Sequence, residues 1–252
     1  MNKDYFKEYY HLERKHWWFT ARAEILENRV KNLLNGQAEP KILNAGVATG
    51  ATSEMLGKYG HVHSLEFDKD CCEFLESELK MEVVNGSLTQ LPFEDNSFDL
   101  VCAFDVIEHI EDDQTAVNEV YRVLKPGGKY CLTVPAFQFL WSEHDEINHH
   151  FRRYSKDRYL KLFRNSNLQI DYSSYFNFWL FAPIAVARLM SKLIRGKRNK
   201  NSPQSDFSKM KGNSLTDRVF FSIFRSEIGL LNAGVKLPFG VSIIAEGRKS
   251  NH

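Results

Sequence analysis

The stretch "FDVIEHIEDD", Phe104 to Asp113, sets Asp105, Glu108 and His109 at i, i+3 and i+4. A helical turn would project these two carboxylates and one imidazole from the same face. Such a set suits a divalent metal that polarises a hydroxyl, or proton transfer at a bound acceptor. The same residues could instead brace the turn and the loop after it. Downstream, "WSEHDEINHHFRRYS" crowds His144, Asp145, His149, His150, Arg152, Arg153 and Tyr154 into one polar, aromatic run. Crowded titratable groups point to acceptor recognition, with the arginines suited to a phosphate or carboxylate; His150 and Arg153 are the preferred residues. A third stretch, "KILNAGVATGATSEML", carries an apolar strand into a glycine-interrupted turn and then a helix. Gly46 and Gly50 let a ligand approach the backbone there, and the helix amides offer partial positive charge. Twenty positions after Gly46 comes Glu66, an acid able to accept hydrogen bonds from both ribose hydroxyls of an adenosine. A nucleoside cofactor is implied. The dinucleotide fingerprint is not met, because Ala48 stands where its second glycine should, which disfavours a nicotinamide oxidoreductase.

These residues need a scaffold. From Lys41 to Val134, short apolar runs alternate with segments of helical period, the pattern of crossover units and a parallel sheet. The strands are read as Lys41–Asn44, Val62–Glu66, Glu82–Asn85, Phe98–Phe104 and Lys129–Val134. Pro126-Gly127-Gly128 stops a helix carrying Val120, Val123 and Leu124 and releases the chain into the fifth strand. Ser155 caps a further amphipathic helix, and "LQIDYSSYF" and "VSIIAEGR" read as two more strands. In an open parallel sheet, ligands bind outside the carboxyl ends of the strands, where the turn after the first strand lies. Residues 1–35 form an N-terminal helical extension. Residues 36–176 and 240–249 form the main domain, and 177–239 a helical insertion with two helical patterns and a flexible basic segment, 196–213.

Four segments, "ILNAGVATG", "SLEFD", "NGSLTQLPFEDNSFDLV" and "FDVIEHI…RVLKPGGKYCLTVP", resemble in order and spacing the class I S-adenosylmethionine-dependent methyltransferases, of the ubiquinone-methyltransferase-like kind. The resemblance runs from about Lys41 to Arg164. It implies an α/β Rossmann-like fold: a seven-stranded sheet of order 3-2-1-4-5-7-6, last strand antiparallel, flanked by helices. It implies S-adenosyl-L-methionine as cofactor, contacted by Asn44, Ala45, Gly46, Gly50, Glu66, Phe67, Ser87, Leu88 and Phe104. The methionine part would lie over Gly46 and its neighbours, the ribose on Glu66, and the adenine near Phe67, Ser87 and Leu88. Two positions depart from the family: Asn44 replaces the acid that usually ends the first strand, and Ser87 the acid that often meets the adenine amino group. The run from Asp105 to His109 also resembles the E-x-x-E-H metal motif of ubiquinone-pathway and small-RNA O-methyltransferases. By that likeness His150 would complete a ligand set of Asp105, Glu108, His109 and His150. The expectation adopted is no metal, with His109, His150 and Asp105 as catalytic residues and the four-residue ligand set as the alternative.

Bulk composition narrows the partners. Thirty-three basic residues nearly cancel thirty-two acidic ones, so no general attraction for nucleic acid is expected. Cys71, Cys72, Cys102 and Cys131 are not spaced as a disulfide framework or a zinc knuckle, and the N-terminus lacks the apolar core of a signal peptide. A cytoplasmic protein is expected. The apolar run ending at Ala187 is too short to span a bilayer and contains Pro183, but cationic residues follow it. It therefore reads as a peripheral contact with the inner membrane face through 176–200, or as a lid or dimer contact. "HDEINHHFRRYS" and "LPFGVSIIAEGRK" resemble bacterial relatives found with surface-polysaccharide and lipid biosynthesis. The expected activity is methylation, at oxygen, of a small-molecule, glycan or lipid-linked acceptor. The alternative is a cofactor-binding or regulatory protein without catalysis, for which Asn44, Ala48 and Ser87 speak.

Overall fold

A computed structural model of the chain describes residues 3–195 and 215–251, with side chains from residue 6 to 191 and from 215 onward. The expected flexible basic segment 196–213 lies outside the described residues. Seven strands, β1 (Lys41–Ala45), β2 (His61–Glu66), β3 (Val84–Asn85), β4 (Phe98–Phe104), β5 (Leu124–Pro135), β6 (Leu168–Phe176) and β7 (Ser242–Lys249), form one sheet. Its order is β3-β2-β1-β4-β5-β7-β6, as expected. β1 to β5 pair in parallel, and β7 runs antiparallel between β5 and β6. The central strands are apolar along nearly their whole length, as burial on both faces requires; Ile42, Leu43, Leu100, Val101 and Leu132 are fully buried.

The crossovers are helices with clear start signals. α4 (Lys69–Leu79) is capped by the Asp68 carboxylate on the Cys71 amide, and α5 (Asp113–Val123) by Asp112 on Thr115. α7 (Lys156–Asn165) starts at Ser155, as read from the sequence. The end of α5 differs from expectation. The helix stops at Val123, before the Pro-Gly-Gly, because Leu124 is already extended and pairs with Phe98. Pro126-Gly127-Gly128 instead forms a bulge inside β5, after which pairing resumes at Lys129 with Leu100. A Cβ on Gly128 would lie 2.9 Å from the Phe98 carbonyl oxygen, so only glycine allows this return.

The N-terminal extension is two helices, α1 (Lys3–Lys15) and α2 (Trp17–Leu34). α1 sits on α4 through an apolar cluster of Phe6, Phe74, Leu75 and Cys71 that also takes in Val47. The insertion holds α8 (Phe181–Arg195), α9 (Leu215–Arg225) and α10 (Glu227–Asn232), so the second helical pattern is in fact two helices that break at Ser226. α9 packs along α2, with Trp17 against Phe220 at 5.5 Å and Trp18 against Phe224 at 6.3 Å between ring centroids. The Glu24 carboxylate accepts from Arg225 across the same contact. Extension and insertion thus meet over one end of the sheet.

One buried ion pair ties this cap to the sheet. Arg29 on α2 donates from Nε and Nη2 to both oxygens of Glu246 on β7, at 2.7 and 2.6 Å, and from Nη1 to the Leu231 carbonyl of α10. Glu246 is 1% exposed. Removing one member of such a pair leaves a buried charge without compensation, which costs more than the pair itself contributes. Arg29→Ala is therefore expected to lower unfolding stability by about 3 kcal/mol or more, measured by chemical denaturation.

Candidate active site

The first strand ends in a bend built on three left-handed residues: Gly46 (φ 75°), Ala48 (φ 47°) and Gly50 (φ 88°). At Gly46 a Cβ would come within 2.4 Å of Val106 Cγ2, so glycine is needed both for its dihedral and for its closeness to the turn after β4. Ala48 tolerates its positive φ because Glu66 holds it. The Glu66 Oε2 accepts from the Ala48 amide at 3.0 Å, while Oε1 accepts from the Phe67 and Asp68 amides at 2.9 and 3.1 Å. One carboxylate therefore fastens the glycine bend to the end of β2. Burial raises the Glu66 pKa above the ordinary carboxylate value, against these three amides.

A cavity of about 1030 Å³ opens outside the carboxyl ends of the strands. Gly46, Glu66, Phe67, Ser87, Leu88 and Phe104 line it, as do Asp105, Glu108, His109, His150 and Arg153. The two groups of residues picked from sequence thus share one chamber. Asn44, Ala45 and Gly50 do not line it. Asn44 is buried beneath the bend, its Nδ2 donating to Thr52 Oγ1 and Ser53 Oγ at 2.8 and 2.9 Å, so it shapes the start of α3 (Ala51–Leu56). Ala45 is buried in the sheet, and Gly50 occupies the N-cap of α3. These three support the bend from outside the cavity lining. Ser87 Oγ pairs with Thr89 Oγ1 at 2.8 Å and accepts from the Thr89 amide.

Asp105 departs from the helical turn expected of it. It takes a left-handed φ of 58°, and only Ile107–His109 forms a 3₁₀ turn. Its carboxylate accepts from Arg22 Nη2 at 2.8 Å and from Thr133 Oγ1 at 2.9 Å. Its carboxylate is thereby engaged with Arg22 and Thr133 and lies outside the group formed by Glu108 and His109. Among the described residues, one group with ligand atoms within 4.8 Å of one another is Glu108, His109 and His150. The His109 and His150 rings stand edge to face with centroids 4.5 Å apart.

The electrostatics of this group are uneven. Glu108 is fully buried and neither carboxylate oxygen has a hydrogen-bond partner. Burial, with Asp105 nearby, pushes its pKa well above the usual range. It does not brace the loop through its side chain; only its carbonyl does so, accepting from the Phe151 amide. Burial and His150 lower the His109 pKa to about 4, which leaves a neutral imidazole at neutral pH. Asp145 is buried and takes His150 Nδ1 at 2.9 Å and Arg153 Nε at 2.7 Å on the same oxygen. Burial raises its pKa, but His150 and Arg153 outweigh that and hold the carboxyl well below the usual range. An anionic Asp145 keeps the His150 proton on Nδ1 and turns the Nε2 lone pair away from itself. Arg153, expected to meet the acceptor, is instead committed to Asp145 and to the Ala136 carbonyl.

The sequence reading missed the other walls. Glu13, His16, Trp17, Trp18 and Arg22 come from the extension, and Asn177, Leu180, Ile184, Arg188 and Phe220 from the insertion. Charges on α1 and α2 look like an ordinary solvated face in sequence, and the "HWWF" aromatics, which read as suited to a membrane interface, are the signal that the extension meets something apolar.

Residues 43–132 match the family described as Methyltransferase domain. These residues form a domain of the class I S-adenosylmethionine-dependent methyltransferase superfamily. S-adenosylmethionine is the cofactor of these proteins, and the glycine bend, the Glu66 carboxylate and the shared cavity fit it. The demethylmenaquinone methyltransferase of a Geobacillus species is 31% identical over 139 residues, covering 50% of this chain and 59% of that protein. The chain spans about half the length of the curated relatives it matches. Two solved structures share the fold. The YcgJ protein of Bacillus subtilis has a TM-score of 0.56 at 18% identity, covering 90% of this chain and 99% of that one. The geranyl diphosphate C-methyltransferase of Streptomyces coelicolor A3(2) has a TM-score of 0.54 at 15% identity, covering 88% and 79%.

Loss of the Glu66 carboxylate frees the Ala48 bend and removes the acid expected to meet the ribose. Glu66→Ala is expected to abolish S-adenosylmethionine binding in calorimetry while the chain stays folded.

Proposed function

We propose that this chain is an S-adenosylmethionine-dependent methyltransferase acting on a hydroxyl oxygen of a small-molecule, glycan or lipid-linked acceptor. Residues 36–176 and 240–249 serve as the catalytic domain, and 1–35 and 177–239 as its cap. The observation that carries the reading is the single cavity shared by the glycine bend, Glu66 and the Glu108–His109–His150 group. Bound S-adenosylmethionine supplies an electrophilic methyl on a sulfonium, open to in-line displacement. Gly46 and Glu66 hold its two ends, while Phe67, Ser87 and Leu88 line the adenine side. The acceptor enters from the side of His109 and His150, and the cap keeps water from the transfer.

Glu108, His109 and His150 fit a divalent ion, since the two unpartnered Glu108 oxygens are buried beside two imidazole nitrogens. Such an ion would lower the pKa of the acceptor hydroxyl and orient it. Asp145 serves by fixing the ring of His150, and Asp105 by holding Arg22. In place of the four-residue set read from sequence, the ligands are these three.

No described helix is long and apolar enough to cross a membrane. α8 turns Ile184 and Ala187 toward the cavity and leaves Val186, Leu189 and Met190 exposed, and Val219 and Ile223 of α9 are exposed as well. This pattern supports a lipid-linked acceptor and a peripheral position at the inner face of a bacterial membrane.

Two experiments test these readings. Release of S-adenosylhomocysteine with lipid-linked glycan acceptors is expected from protein purified without an affinity tag. Chelation should cut the rate at least tenfold and added Mg²⁺ or Mn²⁺ restore it; full activity after chelation would leave the two imidazoles as bases without a metal. No turnover with any acceptor, cofactor binding intact, would favour the non-catalytic alternative. Separately, co-sedimentation with anionic liposomes at low salt is expected, and Leu189→Glu with Met190→Glu should abolish it.

A further inference from the structure

The N-terminal extension carries a charge that the proposed transfer does not use. Glu13, near the end of α1, lines the cavity beside the glycine bend. Its carboxylate accepts from the Thr49 hydroxyl, inside the bend itself. The next residue clamps the same place: Arg14 Nη2 donates to the Thr49 carbonyl at 3.1 Å and to Glu54 Oε1 of α3 at 2.6 Å. The cluster of Phe6, Phe74 and Val47 fastens α1 to the bend from its apolar side. Glu13 is therefore held in register with Thr49 by three separate contacts and is not a side chain waving at a surface.

Across the cavity from the Glu66 end, Arg22 faces the same chamber, held by Asp105 and Thr133, with its buried Nε unpartnered. One acid and one base of the extension thus stand beside the bend where Gly46 touches the turn after β4. An α-amino acid group presents the complementary pair, an ammonium and a carboxylate. We propose that Glu13 is a cofactor-binding residue, accepting a charge-assisted hydrogen bond from the α-ammonium of S-adenosylmethionine, so that α1 reads the amino-acid end of the ligand. The inference rests on the cofactor assignment above.

The surroundings give this contact a signature. Burial pushes the Glu13 pKa up to about 7, against the Thr49 hydrogen bond and the charges of Arg14 and Arg22, with Glu54 adding to the rise. His16 at the α1–α2 joint and the Cys71 thiol on α4 are the other titratable groups nearby; burial lowers the first and raises the second, so neither is charged near neutrality. An ammonium beside the carboxyl favours its ionised form. Binding at pH 7 must then release protons, and affinity must rise as pH increases from 6 to 7.

The test is titration calorimetry of the full chain with S-adenosylhomocysteine and with 5′-methylthioadenosine, which keeps the nucleoside and lacks the amino-acid group. Runs in buffers of different ionisation enthalpy count the protons released. The expected result is a fractional proton release with S-adenosylhomocysteine and none with 5′-methylthioadenosine. Glu13→Gln should weaken S-adenosylhomocysteine by about tenfold or more and abolish its proton release. It should leave 5′-methylthioadenosine within twofold, which also shows that the variant folds. Equal loss of both ligands, unchanged S-adenosylhomocysteine affinity, or proton release persisting in Glu13→Gln would each overturn the inference. Failure of the unaltered chain to bind either ligand would overturn the cofactor assignment and this inference with it. Binding of 5′-methylthioadenosine with a silent Glu13 would overturn this inference alone.

Discussion

The bend after β1 exists because one carboxylate satisfies it. Three amides, from Ala48, Phe67 and Asp68, converge on Glu66, so a positive φ at an alanine and the turn leaving β2 are stabilised by the same side chain. The residue that shapes the pocket floor is thus also the one proposed to meet a ribose. Geometry and recognition cannot be separated here.

Around this floor the charges are arranged as a set of locked pairs. Asp145 is shared by His150 and Arg153, Asp105 by Arg22 and Thr133, and Glu246 by Arg29. Each pairing removes a polar group from the list of those available to a ligand. Glu108 stands out against that background, buried with both oxygens unpartnered in the wall of the chamber. Burial of an acid without hydrogen bonds is unfavourable unless something else approaches it. This contrast within one site is what separates positioning residues from those left to act.

The cap follows from the same economy of contacts. α2 buries Ala21, Ile25, Leu26 and Val30 and receives α9 on its flank, while α8 gives one face to the cavity. Extension and insertion are distant in sequence, yet Arg29 and Trp18 join them to each other and to β7. A roof assembled from two segments encloses a chamber that the sheet alone would leave open.

The period of apolar residues and the punctuation by glycine and capping side chains were enough to read five strands close to their observed limits; β3 came out as two residues where four were expected, and β5 starts five residues before the expected Lys129. Those signals are local. They depend on backbone dihedrals and on one or two neighbours, as at Ser155. That Glu66 would share a strand-end cavity with Glu108, His109 and His150 was legible from residue type and distance from a strand end, together with the family resemblance that pointed to His150. The left-handed Asp105 was not, since its conformation depends on Arg22 and Thr133, at separations of 83 and 28 residues. Nor were Arg153's bond to Asp145, Asn44's place beneath the bend, or the walls given by Glu13 and Asn177. Whether a polar side chain is engaged or left to meet a ligand depends on which distant segment packs beside it. That was decided only when the chain closed on itself.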